Sequence, residues 1–182
     1  RTVTGVQTCA LLICYWIAET LADPAAVPSR DALLAVRQPI AEALLLQAQP
    51  MPGAPELLAW CERNGLPMAL ATSSSRSAVN IKASPHPWLQ RIRVRVHGDD
   101  PELQRGKPAP DVFLLAAQRL GVNAGQCWAF EDSPAGVQAA LAAGCTVHVL
   151  PPDHLSKAER HLAYPGVDHF LNSLEELLKR LP

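Results

Sequence analysis

The chain shows two different patterns of apolar and polar residues. From Tyr15 to Gln49 the sequence is rich in alanine and leucine at helical spacing, with breaks at Pro24 and Pro28. The segment QPMPGAPELL ends this region, and short apolar runs alternate with helical stretches beyond it. We therefore predict an N-terminal helical region followed by a region of different architecture.

The second region predicts an α/β fold. The predicted strands cover 67–73, 92–98, 127–132, 145–150 and 168–173, and the predicted helices cover 54–64, 76–83, 109–120, 134–143 and 173–181. Strands that alternate with helices in this way are typical of a parallel sheet with helices on both faces. We expect any ligand to bind beyond the carboxyl ends of these strands.

Two of the predicted strands lead into residues that suit an anion. The first ends in Thr72 and Ser73, where hydroxyls and free backbone N–H groups at a helix start suit a phosphate. A simple helix cap is the commoner explanation of such residues. The loop GDDPELQRGKPAPDVF places Lys107 before a helix, although a loop lysine is usually solvated.

The run CWAFED ends in two adjacent acids, Glu131 and Asp132. Repulsion and desolvation both penalise this arrangement unless a positive charge lies between the carboxylates. A hard cation such as Mg²⁺, which prefers oxygen ligands, removes the penalty. We therefore predict that the acid pair binds a cation.

The order of hydroxyl, lysine and acid pair resembles the haloacid dehalogenase-like phosphatases. Thr72 matches their second motif, Lys107 the third, and Glu131 with Asp132 the fourth. Bacterial receiver domains use similar residue types in a different order, and this excludes them. The resemblance runs from about residue 18 to the C-terminus. FEDSPAGVQAALAAG is similar to the subgroup of pseudouridine-5′-phosphatases and glycerol-3-phosphatases, with β-phosphoglucomutase-like proteins further off.

The resemblance implies a Rossmann-like core at residues 51–182 and the C-terminal part of a helical cap at residues 14–50. It also implies Mg²⁺-dependent hydrolysis of a small phosphorylated metabolite through an aspartyl phosphate. The expected substrate is a sugar, polyol or nucleoside monophosphate. A phosphosugar mutase of the same family is an alternative.

The resemblance also assigns roles to the site residues. Thr72 and Ser73 would bind phosphoryl oxygens, and Lys107 would pair with the nucleophile and the transferring group. Glu131 and Asp132 would hold Mg²⁺. Arg76, Asn80 and Lys82 would face a phosphorylated substrate, although a solvated helix face explains these three equally well.

The family's first motif, Asp-x-Asp, is missing from this sequence, because no two of its aspartates are two residues apart. Residues 3–11, VTGVQTCAL, match the translation of a common sequencing adapter. We therefore expect residues 1–13 to be non-native and the central first strand, with the nucleophile, to be lost. The chain as given is predicted to be inactive. The other alternative is a natural pseudoenzyme that binds a phosphorylated ligand or a protein partner.

Composition limits the expected partners and the expected location of the protein. The net charge of −1 gives no reason to expect a nucleic-acid partner. The apolar segment TCALLICYWIA is too short for a membrane span. The five cysteines form no CxxC pair, which favours a reducing, cytoplasmic location. We expect a monomer whose partner is a small metabolite.

Overall fold

The structure is a computed structural model that describes residues 30–181. The chain is divided into two compact units. One contains residues 30–49 and Ser77–Pro85, and the other contains residues 50–76 and 86–181. The predictions for residues 1–13, including the adapter match, lie outside the described residues.

The described helices and strands follow the predicted alternation. The helices are α1 (Arg30–Leu46), α2 (Ala54–Arg63), α3 (Arg76–Ala83), α4 (Asp111–Leu120), α5 (Pro134–Ala142), α6 (Lys157–Ala163) and α7 (Leu174–Leu178). The strands are β1 (Ala69–Ala71), β2 (Val94–Val96), β3 (Trp128–Glu131), β4 (Thr146–Val149) and β5 (His169–Phe170). None of these helices is long and apolar enough to cross a lipid bilayer.

The strands of the second unit form two separate parallel sheets. Strand β1 pairs with β2, with Ala69 opposite Val94. The other sheet has the order β3-β4-β5, with Trp128 opposite Thr146. All strand pairs are parallel, so the predicted α/β class is confirmed. Within the described part of the chain, β1 and β3 are each paired on one side only.

A cavity of about 570 Å³ lies between β1 and β3. Both strands line it, together with residues of α2, α4 and α7. The predicted loss of a central strand concerns residues outside the described part of the chain and stays a prediction.

Helices pack against the sheets of the second unit. The largest apolar cluster joins α4 and α5 to β3 and β4, with Val137, Val147 and Val149 almost fully buried. A second cluster packs Leu57 of α2 against residues around α7. This packing holds the carboxyl ends of the strands in fixed positions, because close-packed interiors resist displacement.

The observed elements differ from the predicted ones in length and in number. Each strand is shorter than predicted, because pairing ends where the neighbouring strand ends. Helix α6 was not predicted, since its exposed Leu162 gives it no clear apolar face. A capping box formed by Ser156 and Glu159 starts this helix. The sequence pattern Ser-x-x-Glu is the signal that would have found it.

Candidate active site

Lys107 joins the carboxyl ends of the two sheets. Its Nζ donates to the carbonyl oxygen of Ala71, at 3.2 Å, and to a carboxylate oxygen of Glu131. Only about a tenth of the lysine side chain is exposed. The ammonium group also lies 4.9 Å from the centre of the Phe113 ring, a favourable cation–π position. Lys107 is therefore a fixed positive charge at the sheet edge.

Three groups compensate the buried charge of Glu131. Besides Lys107, the hydroxyl of Ser133 donates to Glu131 Oε2, at 3.2 Å. Ser133 is the N-cap of α5, and its oxygen accepts from the N–H of Gly136. The helix start adds a partial positive charge. This explains how the sequence tolerates one of its two adjacent acids.

Asp132 is the acid of the pair that stays available to a ligand. Its side chain is half-buried, and none of the described residues forms a hydrogen bond or ion pair with its carboxylate. The hydroxyl of Tyr164 donates to its backbone oxygen, at 2.7 Å. Burial, and then the charges of Asp132 and Glu131, raise the pKa of Tyr164. Tyr164 therefore stays a donor and fixes the residue that follows β3.

The carboxylates of Glu131 and Asp132 fit a magnesium ion only in part. Mg²⁺ requires near-octahedral oxygen ligation. Asp132 fits as one ligand, whereas the oxygens of Glu131 already accept from Lys107 and Ser133. Among residues 30–181, no group of three His, Cys, Asp or Glu side chains is placed to hold a metal ion. These residues supply part of a magnesium site.

The turn after β1 presents a hydroxyl. The N–H of Ser74 donates to Thr72 Oγ1, at 3.1 Å, so the hydroxyl hydrogen of Thr72 remains available for donation. Ser73 is exposed beside it. The turn lies against Gly98, whose N–H donates to the Ser74 oxygen at 2.9 Å. A Cβ at Gly98 would lie 2.1 Å from the Ser73 oxygen, so this approach requires glycine.

The acids after β2 have structural partners. Asp99 accepts from the N–H of Arg76 at the start of α3, at 2.9 Å. Arg119 donates to both oxygens of the buried Asp100, at 2.6 and 2.8 Å. Hydrogen bonds from Arg119 hold the pKa of Asp100 below its usual range. These contacts explain the adjacent pair Asp99 and Asp100 without any catalytic role.

An ion pair closes the loop that carries Lys107. The guanidinium of Arg105 donates to both oxygens of Asp111, at 2.8 and 3.2 Å, and its backbone N–H donates to Asp111 at 3.1 Å. These bonds hold the pKa of Asp111 below its usual range. Lys107 therefore lies on a loop whose two ends are joined by these bonds, a contact that was not predicted from the sequence.

The structure brings together four of the predicted site residues at the carboxyl ends of β1 and β3: Thr72, Lys107, Glu131 and Asp132. It pairs Lys107 with Glu131, a contact that was not predicted from the sequence. Arg76 has an exposed side chain at the start of α3. Asn80 and Lys82 belong to the other unit, and their role in substrate binding stays a prediction.

Parallel strands packed against helices, with a lysine, a hydroxyl and carboxylates at their carboxyl ends, define a Rossmann-like α/β protein. The family model described as haloacid dehalogenase-like hydrolase matches residues 14–144. The chain belongs to this family.

Relatives that match the chain over most of its length are named as phosphatases. The chain is 45% identical over 120 residues to a probable pseudouridine-5′-phosphatase of Drosophila melanogaster, covering 64% of this chain and 52% of the relative. It is 38% identical over 131 residues to hexitol phosphatase A of Escherichia coli, covering 70% and 55%. The chain thus spans about half the length of these curated relatives.

A solved structure shares the fold. The CbbY protein of Rhodobacter sphaeroides, crystallised in complex with phosphate, superposes with a TM-score of 0.70 at 29% identity. The match covers 91% of this chain and 72% of that one. The two proteins therefore have the same fold over most of this chain.

Proposed function

We propose that this chain carries the phosphate- and cation-binding part of a phosphomonoester hydrolase that acts through an aspartyl phosphate. The observation that carries the proposal is the position of Lys107 between the carboxyl ends of β1 and β3. There its charge faces Glu131, one residue before the carboxylate of Asp132. Family membership and the phosphatase relatives support this assignment.

In this proposal, two neutral donors and one positive charge bind the phosphoryl group. Thr72 donates its hydroxyl hydrogen to a phosphoryl oxygen, and exposed Ser73 offers a second donor beside it. Lys107 holds a fixed positive charge that attracts the dianion and favours the negative charge of the transition state. Because it is already placed by Ala71 and Glu131, this charge needs little reorganisation during the reaction.

Mg²⁺ is part of the proposal, with Asp132 as its carboxylate ligand. When bound, the ion would neutralise charge on the phosphoryl oxygens. The sequence pattern assigned Glu131 to the metal as well, but its contacts favour a different role. Glu131 holds Lys107 in place, and Asp132 faces the ligand.

The proposed substrate is a small phosphorylated metabolite, such as a sugar, polyol or nucleoside monophosphate. Relatives named as phosphatases of pseudouridine-5′-phosphate and hexitol phosphates support this class. We also propose a cytoplasmic location and a monomeric state. The three described cysteines, Cys61, Cys127 and Cys145, are free thiols, as expected in a reducing compartment.

The chain contains no Asp-x-Asp sequence to supply a nucleophile and an acid. The test is therefore a graft, before residue 14, of an upstream segment from a related phosphatase, chosen so that it carries an Asp-x-Asp motif and the rest of the cap. The grafted protein should release phosphate from at least one member of a panel of small phosphomonoesters in millimolar Mg²⁺.

Two variants of the graft should lose most of this activity: Lys107→Ala and Asp132→Asn. Asp153→Asn, at an exposed position after β4, is the matched control and should keep it. A folded graft without activity on any phosphomonoester would overturn the proposal. Full activity in the Asp132→Asn graft would exclude the role of that carboxylate.

A further inference from the structure

We propose that Tyr164 is a positioning residue that holds the Asp132 carboxylate in place for its cation. The inference rests on the proposed function, because it takes Asp132 as the carboxylate ligand of that cation. Tyr164 lies beyond residues 14–144, the part of the chain that the family model matches. Its contact with Asp132 spans 32 residues of the sequence and is visible only in the structure.

The turn that carries Asp132 is fixed through its backbone oxygens. The oxygens of Glu131 and Ser133 accept from backbone N–H groups of the residue after β4 and of α5, each at 2.9 Å. The oxygen of Asp132, between them, accepts from the hydroxyl of Tyr164, at 2.7 Å. None of the described residues forms a hydrogen bond or ion pair with the Asp132 carboxylate itself. The direction of this carboxylate therefore depends on how the backbone of the turn is held.

Tyr164 is held in place by its own contacts. It is the C-cap of α6, and its N–H donates to the oxygen of Arg160, at 2.9 Å. Its side chain is only 2% exposed and packs in the apolar cluster that contains Val137 and Val167. The ring of Phe170 meets the tyrosine ring edge-on, with 6.3 Å between the centroids. A donor that is already ordered by this packing restrains the turn at little cost in entropy.

A structural role and a positioning role predict different effects when the hydroxyl is lost. In a structural role, the bond only satisfies a buried polar group of the tyrosine. In a positioning role, its loss weakens cation binding, as loss of the outer partners of metal ligands does. The acceptor belongs to the residue proposed to bind the cation, and this favours the positioning role.

The test measures cation binding directly in the grafted protein described above. Mn²⁺ is the probe, because it prefers the same oxygen ligands as Mg²⁺ and its electron paramagnetic resonance signal reports the free ion. Tyr164→Phe removes the hydroxyl and keeps the ring. We expect its dissociation constant for Mn²⁺ to rise about three- to tenfold. The Mg²⁺ concentration that gives half of the maximal activity should rise by a similar factor.

Phe170→Leu is the matched control. It removes a ring that contacts Tyr164 and keeps the hydroxyl that bonds to Asp132. Thermal unfolding of the ungrafted chain measures how far each variant loosens the packing, and only Tyr164→Phe should weaken Mn²⁺ binding. A second control places Tyr164→Phe in the Asp132→Asn background, where loss of the hydroxyl should have no further effect.

The possible failures of this inference and of the proposed function can be told apart. Equal weakening of Mn²⁺ binding by Tyr164→Phe and Phe170→Leu would overturn the inference, because loosened packing would then explain the effect. Unchanged binding in Tyr164→Phe, or further weakening in the Asp132→Asn background, would overturn it as well. In each of these cases an active graft leaves the proposed function intact. A folded but inactive graft would overturn the proposed function, and the inference with it.

Discussion

At the scale of single residues, Glu131 and Asp132 are adjacent acids with different surroundings at the carboxyl end of β3. Glu131 is buried in β3, and Lys107 approaches it from a loop 24 residues away in sequence. Only about 10% and 7% of the two side chains are exposed, so removal of one partner leaves a buried, unpaired charge. Asp132, one residue further, has no such partner among the described residues.

Replacement of Lys107 tests this pairing. Lys107→Ala is expected to lower the free energy of unfolding by about 3 kcal/mol, because the carboxylate of Glu131 loses its counter-charge. Urea denaturation followed by circular dichroism measures the change. The double variant Lys107→Ala/Glu131→Gln should recover most of the loss. An equally unstable double variant would show that the lysine stabilises the fold in another way.

A buried histidine predicts a pH dependence of stability. His148 packs among the rings of Trp128, Phe130 and His169, and neither of its nitrogens has a hydrogen-bond partner among the described residues. Burial, and then His169, hold its pKa below the ordinary value of 6.5. The unfolded chain therefore takes up a proton that the folded chain excludes, and stability falls as the pH drops below about 6.5. The loss of stability stops once the pH falls below the pKa of His148 in the folded chain, because the histidine is then protonated in both states.

His148→Phe should reduce this slope, because phenylalanine fits among the same rings and does not titrate. The pKa of buried His97 is also lowered, chiefly by burial. Titration of His97 should therefore leave a residual pH dependence of stability in the His148→Phe variant. The measurement is the thermal midpoint between pH 5 and pH 8, with exposed His154→Gln as the control. An unchanged slope in His148→Phe would contradict the assignment.

Secondary-structure elements show which parts of the fold a sequence predicts. The predicted bounds of α3 agree with the structure at both ends, and those of α2 and α5 differ by one residue at the C-terminal end. These helices were predicted well because proline, serine and glycine mark their ends. Strand lengths were overestimated, since they depend on pairing with distant partners. Thr72, Lys107 and the acid pair were predicted as site residues because they follow predicted strands, and the structure places them near one another at the strand ends. The Lys107–Glu131 contact and the roles of Tyr164 and Gly98 depend on spatial approach and left no local signal.

The close approach of the two turns after β1 and β2 gives a prediction at the level of these elements. Gly98→Ala should destabilise the protein by about 1–3 kcal/mol, because its Cβ would collide with the backbone of Ser73. Gly106→Ala, where no described atom lies within 4 Å of the added Cβ, is the matched control. Thermal unfolding of both variants provides the comparison. Equal midpoints would show that the turn moves aside without cost.

At the scale of the whole molecule, the predicted loss of a central strand would dominate stability. A central strand buries about four large apolar side chains, worth roughly 6–12 kcal/mol. This is comparable to the whole stability of an ordinary domain, about 5–15 kcal/mol. The purified chain should therefore be marginally stable and prone to aggregate through the edges of β1 and β3 that are unpaired within the described residues. Static light scattering during heating checks this, and a sharp, reversible transition would contradict it.

We propose that this chain keeps the phosphate- and cation-binding groups of a haloacid dehalogenase-like hydrolase, although its sequence contains no Asp-x-Asp motif to supply the nucleophile. The most direct measurement is phosphate release from small phosphomonoesters by the ungrafted chain in millimolar Mg²⁺. We expect no turnover above background, because positioning without an attacking carboxylate leaves only water in an unsuitable geometry. Turnover by the ungrafted chain that disappears in Asp132→Asn would contradict the claim.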